Sequence, residues 1–182
     1  MKKDLVSLKT LLDKIHLDVS RLYHIATHDE KTGLYNHVFF KDVFALELDK
    51  AKRGRPLSLL VVDIDYFRKI NNTYGHIHAD KILIKLSCLL QNTVRKYDVV
   101  ARFGGEEFFI MLPNTKSRKA KQIAERLRKA VLKDSYLKKY KLTISLGVTE
   151  YKQKDTLEKM SKRADSALYK AKREGRNCVK VN

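Results

Sequence analysis

Apolar side chains recur at Leu5, Leu8, Leu12, Ile15, Val19, Leu22 and Ala26, alternating spacings of three and four without a slip. This is the a/d register of a coiled coil, sustained for just over three heptads. A helix folded against its own domain usually shows a wider apolar stripe, so the spacing predicts a projecting stalk helix. After residue 27 the period changes. Residues 57–65 read LSLLVVDID, a mostly apolar run closed by acids, which predicts a central strand buried on both faces. DVVARF and FFIML, short and rich in β-branched or aromatic residues, flank G-G-E-E and predict a hairpin. In LTISLGVT, Leu142, Ile144, Leu146 and Val148 point one way while Thr143, Ser145 and Gly147 point the other. That small face suits a nucleotide or a packed helix.

These patterns give helices near 3–27, 37–52, 79–94, 116–133 and 156–174, and strands near 57–64, 98–103, 107–112, 141–149 and 177–181. The class is α/β: a central sheet containing antiparallel pairs, surrounded by helices and preceded by an N-terminal helix. Residues 1–27 are expected to form a coiled-coil element and 28–182 a separate α/β domain, with 28–35 as the joint.

The candidate chemistry is carboxylate. Gly104 and Gly105 supply the positive φ of a tight turn, which projects Glu106 and Glu107 from a rigid edge. Adjacent carboxylates repel unless a cation joins them, and a hard divalent ion such as Mg²⁺ is the natural partner. Asp63 ends the buried strand, where an acid needs a metal or a hydrogen-bond network. Asp63 and Asp65 lie two apart on one face; either serves a metal or caps the turn that follows. If that strand pairs with the hairpin, Asp63 comes within reach of Glu106.

The stretch D63-I-D-Y-F-R-K-I-N-N-T-Y-G-H-I-H-A-D80, followed after 23 residues by G104-G-E-E-F108, closely resembles the GGDEF domain of diguanylate cyclases in its GGEEF form. The resemblance extends to D29-E-K-T-G-L-Y-N36, T143-I-S-L-G-V148 and A164-D-S-A-L-Y-K-A-K-R-E-G-R-N177. It implies a palm-like mixed sheet that condenses two GTP molecules into cyclic di-GMP and pyrophosphate. On this resemblance Asp63, Glu106 and the carbonyl of Ile64 would hold Mg²⁺, with Mn²⁺ as an alternative, and Glu106 would also accept a proton. Glu107 and Arg68 join Glu106 as catalytic candidates. Asn71 and Asp80 would read guanine, whose N1 and N2 hydrogens suit a carboxylate. His76, Gly104 and Gly105 would contact substrate, while Lys172 and Arg176, four apart on one helix face, would approach the phosphates. Because each such domain holds one GTP, the resemblance implies a homodimer. Arg95 and Asp98, with five residues between Asp98 and Gly104, match a product-inhibition site.

Four positions depart from the family pattern. Arg68 stands where a Lys is usual, Asn72 replaces an Asp, Ala79 replaces a Gly before Asp80, and His37 replaces an Arg. At Ala79 a methyl is tolerated only in ordinary helical backbone. The metal acids and base readers are intact, which favours an active enzyme over a degenerate domain that only binds GTP or cyclic di-GMP.

Charge adds a rival. Lys and Arg total 39 against 21 acids, a net charge of +18, and a strongly basic face gathers phosphates from any source. Residues 115–141 carry eleven Lys or Arg and two acids, but Ala120, Ile123, Ala124, Leu127 and Val131 keep helical spacing, so the charges belong to a solvated outer face. Without interleaved aromatics, nucleic acid is not expected as a partner. Two cysteines, Cys88 and Cys178, exclude a disulfide framework or a zinc site, and Cys88 is expected in the core. With no apolar run of membrane-spanning length and no signal-peptide core, the chain is expected to be soluble and cytoplasmic.

Overall fold

The apolar run that ends at the acids forms β1 (Leu57–Ile64), and every one of its residues is buried. The structure, a computed structural model, describes residues 2–182, with side chains from residue 8 onward. Leu5 of the expected seam therefore lies outside the described side chains. Ahead of β1 come α1 (Lys2–Thr27) and α2 (His37–Lys52); after it come α3 (Phe67–Tyr74), α4 (His76–Thr93), β2 (Val99–Gly104) and β3 (Glu107–Pro113). The chain continues through α5 (Ser117–Lys133), α6 (Ser135–Lys138), β4 (Ile144–Glu150), α7 (Leu157–Arg173) and β5 (Val179–Val181).

The strands form one mixed sheet in the order β2-β3-β1-β4-β5, antiparallel except for the parallel pair β4-β5. With neighbours on both edges and helices on both faces, β1 has no exposed side, which explains its continuous apolar run. Leu60, Val62 and Ile64 join a core with Ile82 and Leu86 of α4 and Ile123 and Leu127 of α5. Leu59 and Val61 face the other way, into a core with Phe40 and Phe44 of α2 and Ala164 and Leu168 of α7. Each fully buried aliphatic side chain contributes about 1.5–3 kcal/mol.

Gly147 decides which partner the small face of β4 takes. A Cβ built there would lie 1.9 Å from the carbonyl oxygen of Ala164 and 2.6 Å from the amide nitrogen of Leu168. The face carries α7, pressed backbone to backbone.

Four details depart from the sequence reading. The polar segment FRKINNTY forms α3, between Tyr66 in the left-handed region (φ 57) and Gly75 (φ 80), and α4 starts at His76 rather than 79. Asp134 caps the short α6 by accepting from the Tyr136 and Leu137 amides, and the positive φ of Lys141 delays β4. Cys88 is exposed, because α4 buries Leu83, Leu86, Ser87 and Leu90 instead. Arg176 is not on α7: Gly175 turns the chain at φ 104, and the Arg176 amide bonds back to the Ala171 carbonyl, a Schellman closure that ends the helix at Arg173.

The stalk projects. Leu8, Leu12, Ile15, Val19 and Leu22 are all between 49% and 65% exposed, so α1 does not fold its seam onto its own chain. At its base Asn36 caps α2 and also donates to the Ala26 carbonyl. Among the described residues no helix is long and apolar enough to cross a membrane.

Candidate active site

The hairpin turns at Gly105 and Glu106, with Gly105 at φ 48 and a register shift in β2 between Arg102 and Gly104. Arg102 holds this turn. Its Nε and Nη2 donate to the Gly105 carbonyl at 3.1 and 2.8 Å, and its Nη1 donates to Asp29 Oδ1 at 3.1 Å. Burial acts against the Asp29 carboxylate, but bonds from Thr32 and Arg102 prevail and keep its carboxyl below the usual range.

Pairing of β1 with β3 brings the two acid clusters together. The register places Glu107, rather than Glu106, directly across from Asp63. Glu106 at the turn nevertheless lies close enough for its charge to act on Asp63. Burial pushes the Asp63 carboxyl up, the Lys172 ammonium pulls it down, and Glu106 and Asp65 push it up again, leaving it above the ordinary carboxylate range. Lys172 Nζ sits 2.8 Å from Asp63 Oδ2. A cation thus already rests on this acid, and its charge stabilises the ionised form.

Asp65 has a different task. Its carboxylate accepts from the Thr143 hydroxyl, the Ser145 hydroxyl and the Asn177 amide, so it ties the start of β4 to the segment after α7. It neither caps α3 nor remains free for a metal. Asp63 and Glu106 are left as the acid pair. Among the described residues no group of three or more His, Cys, Asp or Glu side chains gathers around one point. Two carboxylates and a backbone carbonyl are, however, the usual protein share of a Mg²⁺ site completed by substrate phosphates.

The remaining sequence-predicted residues are spread around this edge. Asn71 lies on α3 with a buried Oδ1 that has no hydrogen-bond partner, an acceptor awaiting a donor. Asp80 lies on α4, where Lys31 donates to it at 2.6 Å in an exposed ion pair. Ala79 is buried in regular helix, so the extra methyl causes no backbone strain. Arg68, His37 and His76 are exposed, with His76 opening α4. The guanidinium of Arg176 stacks over the Tyr66 ring at 4.3 Å and donates to its hydroxyl at 3.1 Å. Lys172 and Arg176 therefore approach the end of β1 from different backbone settings.

Asp98 is buried, and one of its oxygens, Oδ1, has no partner. Burial raises its carboxyl; the Arg95 amide and the charges of Arg95 and Arg126 oppose this without overcoming it. The Arg95 guanidinium turns to the Tyr97 hydroxyl at 2.7 Å. Sequence reading missed Arg126, which anchors to the Thr93 carbonyl beside this acid. It also missed Asp165 on α7, whose carboxyl is raised by burial and by Glu107. Arg126 belongs to no local motif that could have flagged it, whereas Asp165 lies in the 164–177 stretch, which sequence reading uses only for its basic end.

A mixed palm-type sheet with a paired-acid hairpin beside a buried strand-end acid and a basic helix end defines a nucleotidyl cyclase-like class of nucleotide-handling domain. The chain belongs to the family described as diguanylate cyclase, GGDEF domain, whose model matches residues 26–178. It is 36% identical over 190 residues to diguanylate cyclase A of Treponema denticola, an alignment covering 100% of this chain and 51% of the relative. The chain thus spans about half the length of that curated relative. Its fold is similar to the coiled coil and GGDEF domain of DgcB from Caulobacter crescentus in complex with c-di-GMP, at TM-score 0.89 and 26% identity, covering 100% of this chain and 98% of that one. It is likewise similar to the active GGEEF domain of a diguanylate cyclase from Vibrio cholerae, at TM-score 0.75 and 34% identity over 80% of this chain and 96% of the other.

Proposed function

We propose that this chain is a cytoplasmic diguanylate cyclase domain that condenses two GTP molecules into cyclic di-GMP and pyrophosphate. The observation that carries the reading is the buried Asp63 set beside the acid-bearing hairpin, with its carboxyl raised by burial and by neighbouring carboxylates. Asp63, Glu106 and the Ile64 carbonyl would hold Mg²⁺, or Mn²⁺. Such an ion supplies a lowered hydroxyl pKa at the attacking ribose and charge neutralisation at the leaving pyrophosphate.

The chain's own residues do the rest. Glu106, at the tip of the turn, accepts the proton of the attacking 3′-hydroxyl, and Glu107 and Arg68 border the reacting phosphate. Asn71 uses its unpartnered oxygen, with Asp80, to read guanine; Lys31 must yield Asp80 to the base, at small cost for an exposed pair. Gly104, Gly105 and His76 line the substrate path. Lys172 moves from Asp63 to the phosphates as GTP enters, and Arg176 joins it there. Positioning of this kind accounts for much of the rate in phosphoryl transfer.

One chain supplies half of the reacting pair. The exposed seam of α1 supports a parallel coiled-coil homodimer, with 1–27 as the signalling stalk and 28–182 as the catalytic domain. Arg95 and Asp98, now with Arg126, would bind product as an inhibitory site. Incubation of the protein with GTP and Mg²⁺, followed by chromatography for cyclic di-GMP, tests the reading; GTP binding without product would instead assign a regulatory, non-catalytic role.

A further inference from the structure

A cavity of about 510 Å³ opens on the face of α3 turned away from Asn71. One wall is Tyr66, just before α3, followed by Lys69, Ile70, Thr73 and Tyr74, which are spaced to fall on one face of that helix. The opposite wall is Lys139, Tyr140 and Lys141, just after α6. Among the described residues none of the three lysines has a carboxylate within ion-pair distance. Asp65 is the acid at the floor, and its two oxygens are already occupied by Thr143, Ser145 and Asn177.

Aromatic rings at the rim of the cavity are accessible. Tyr74 meets Tyr140 edge to face at 5.0 Å while remaining 44% exposed, and Tyr66 is 60% exposed. Tyr66 also holds a left-handed backbone (φ 57), a costly state for an aromatic residue that the Arg176 stack helps to maintain. Unpaired ammonium groups beside open aromatic faces suit a flat base carrying phosphates. The cavity volume lies in the range of small-molecule sites.

We propose that this cavity is a second nucleotide site, which takes a nucleoside diphosphate or triphosphate by stacking its base on the tyrosines and seating its phosphates among Lys69, Lys139 and Lys141. No side-chain amide lines it, so it does not select the base. Tyr66 is its link to the catalytic edge, because the same ring carries Arg176. The site stands independently of the catalytic reading.

ADP is the probe, since the guanine-reading pair would reject adenine. Calorimetry on the full chain with Mg²⁺ present is expected to show one ADP per chain, weakened by salt, and one more equivalent of a non-hydrolysable GTP analogue than of ADP, since the analogue fills both sites. The Lys139→Glu, Lys141→Glu double variant and Tyr74→Ala should each weaken ADP roughly tenfold or more, with unchanged circular dichroism. Lys69→Gln, at an exposed helix position, provides a milder variant with the same sign. Pyrophosphate should bind more weakly than ADP. The proposal is overturned if ADP does not bind, if the lysine variants bind it normally, or if pyrophosphate equals it. A chain that binds ADP and the GTP analogue with the same stoichiometry would refute the catalytic reading and leave the second site standing.

Discussion

Lys172 places its ammonium 2.8 Å from Oδ2 of Asp63, so the basic end of α7 is ion-paired to the acid that closes β1. The close approach of α7 to Gly147 seats the helix against β4 at Ala164 and Leu168, one turn before Lys172. If the ammonium passes to the phosphates when GTP binds, Lys172→Ala should weaken GTP roughly ten- to hundredfold, the value of a lost charge-assisted hydrogen bond. Calorimetric titration with a non-hydrolysable GTP analogue and Mg²⁺ is the measurement. Unchanged affinity would mean that Lys172 serves only Asp63.

Glu106→Gln keeps side-chain size and removes both the ligand charge and the proton acceptor. Cyclic di-GMP formation should fall at least roughly a hundredfold, while thermal unfolding stays near that of the unmodified protein. Near-normal turnover would remove Glu106 from the chemistry.

Gly147→Ala tests the backbone contact between β4 and α7. The added Cβ has no room at 1.9 Å from a carbonyl oxygen, so the helix must shift. A loss of about 3 kcal/mol in urea unfolding is expected, together with weaker GTP binding as Lys172 is displaced. A stability loss with unchanged GTP affinity would separate packing from site assembly.

The pair Asp155–Arg163 predicts a pH dependence. Burial acts against the Asp155 carboxylate, but the Arg163 guanidinium and the Lys152 amide outweigh it and hold the carboxyl below its usual range. With a depressed folded pKa, this contribution is present above the unfolded value of about 3.9 and disappears as pH falls through the folded value. Asp155→Asn should therefore cost about 1–3 kcal/mol at neutral pH. The gap to the unmodified protein should narrow in acid. Urea unfolding at pH 7 and pH 3 reads both; an equal gap at the two pH values would contradict the linkage.

Leu12→Asp with Val19→Asp places like charges on the exposed seam of α1. Dimerisation should be lost, and specific activity should become strongly dependent on protein concentration, while GTP still binds each chain. Light scattering and activity over one dilution series are decisive. A variant that remains dimeric and active when dilute would show that the stalk does not assemble the site.

The sheet and its acids were legible because their signals are local: a buried run closed by Asp63, and two glycines between two short strands. The stalk was legible for the same reason, as its period is its signal. α3 was not, since FRKINNTY is polar and its limits are set by backbone angles at Tyr66 and Gly75 rather than by an apolar stripe. Arg176 was misplaced because one glycine reverses the chain before it. Most hidden were the long-range partners. Asp65 meets Thr143, Ser145 and Asn177, and Asp80 meets Lys31, only after the chain has folded. Tertiary pairing of this kind leaves no spacing to read.

Arg102 grips Asp29 with one arm of its guanidinium and the Gly105 carbonyl with the other. The group is planar and its donor directions are fixed, so it behaves as a strut rather than a tether. Asp29 follows the end of α1 by two residues, so the strut joins the foot of that helix directly to the hairpin. One rigid side chain thus fixes the spacing between the foot of α1 and the turn that carries Glu106.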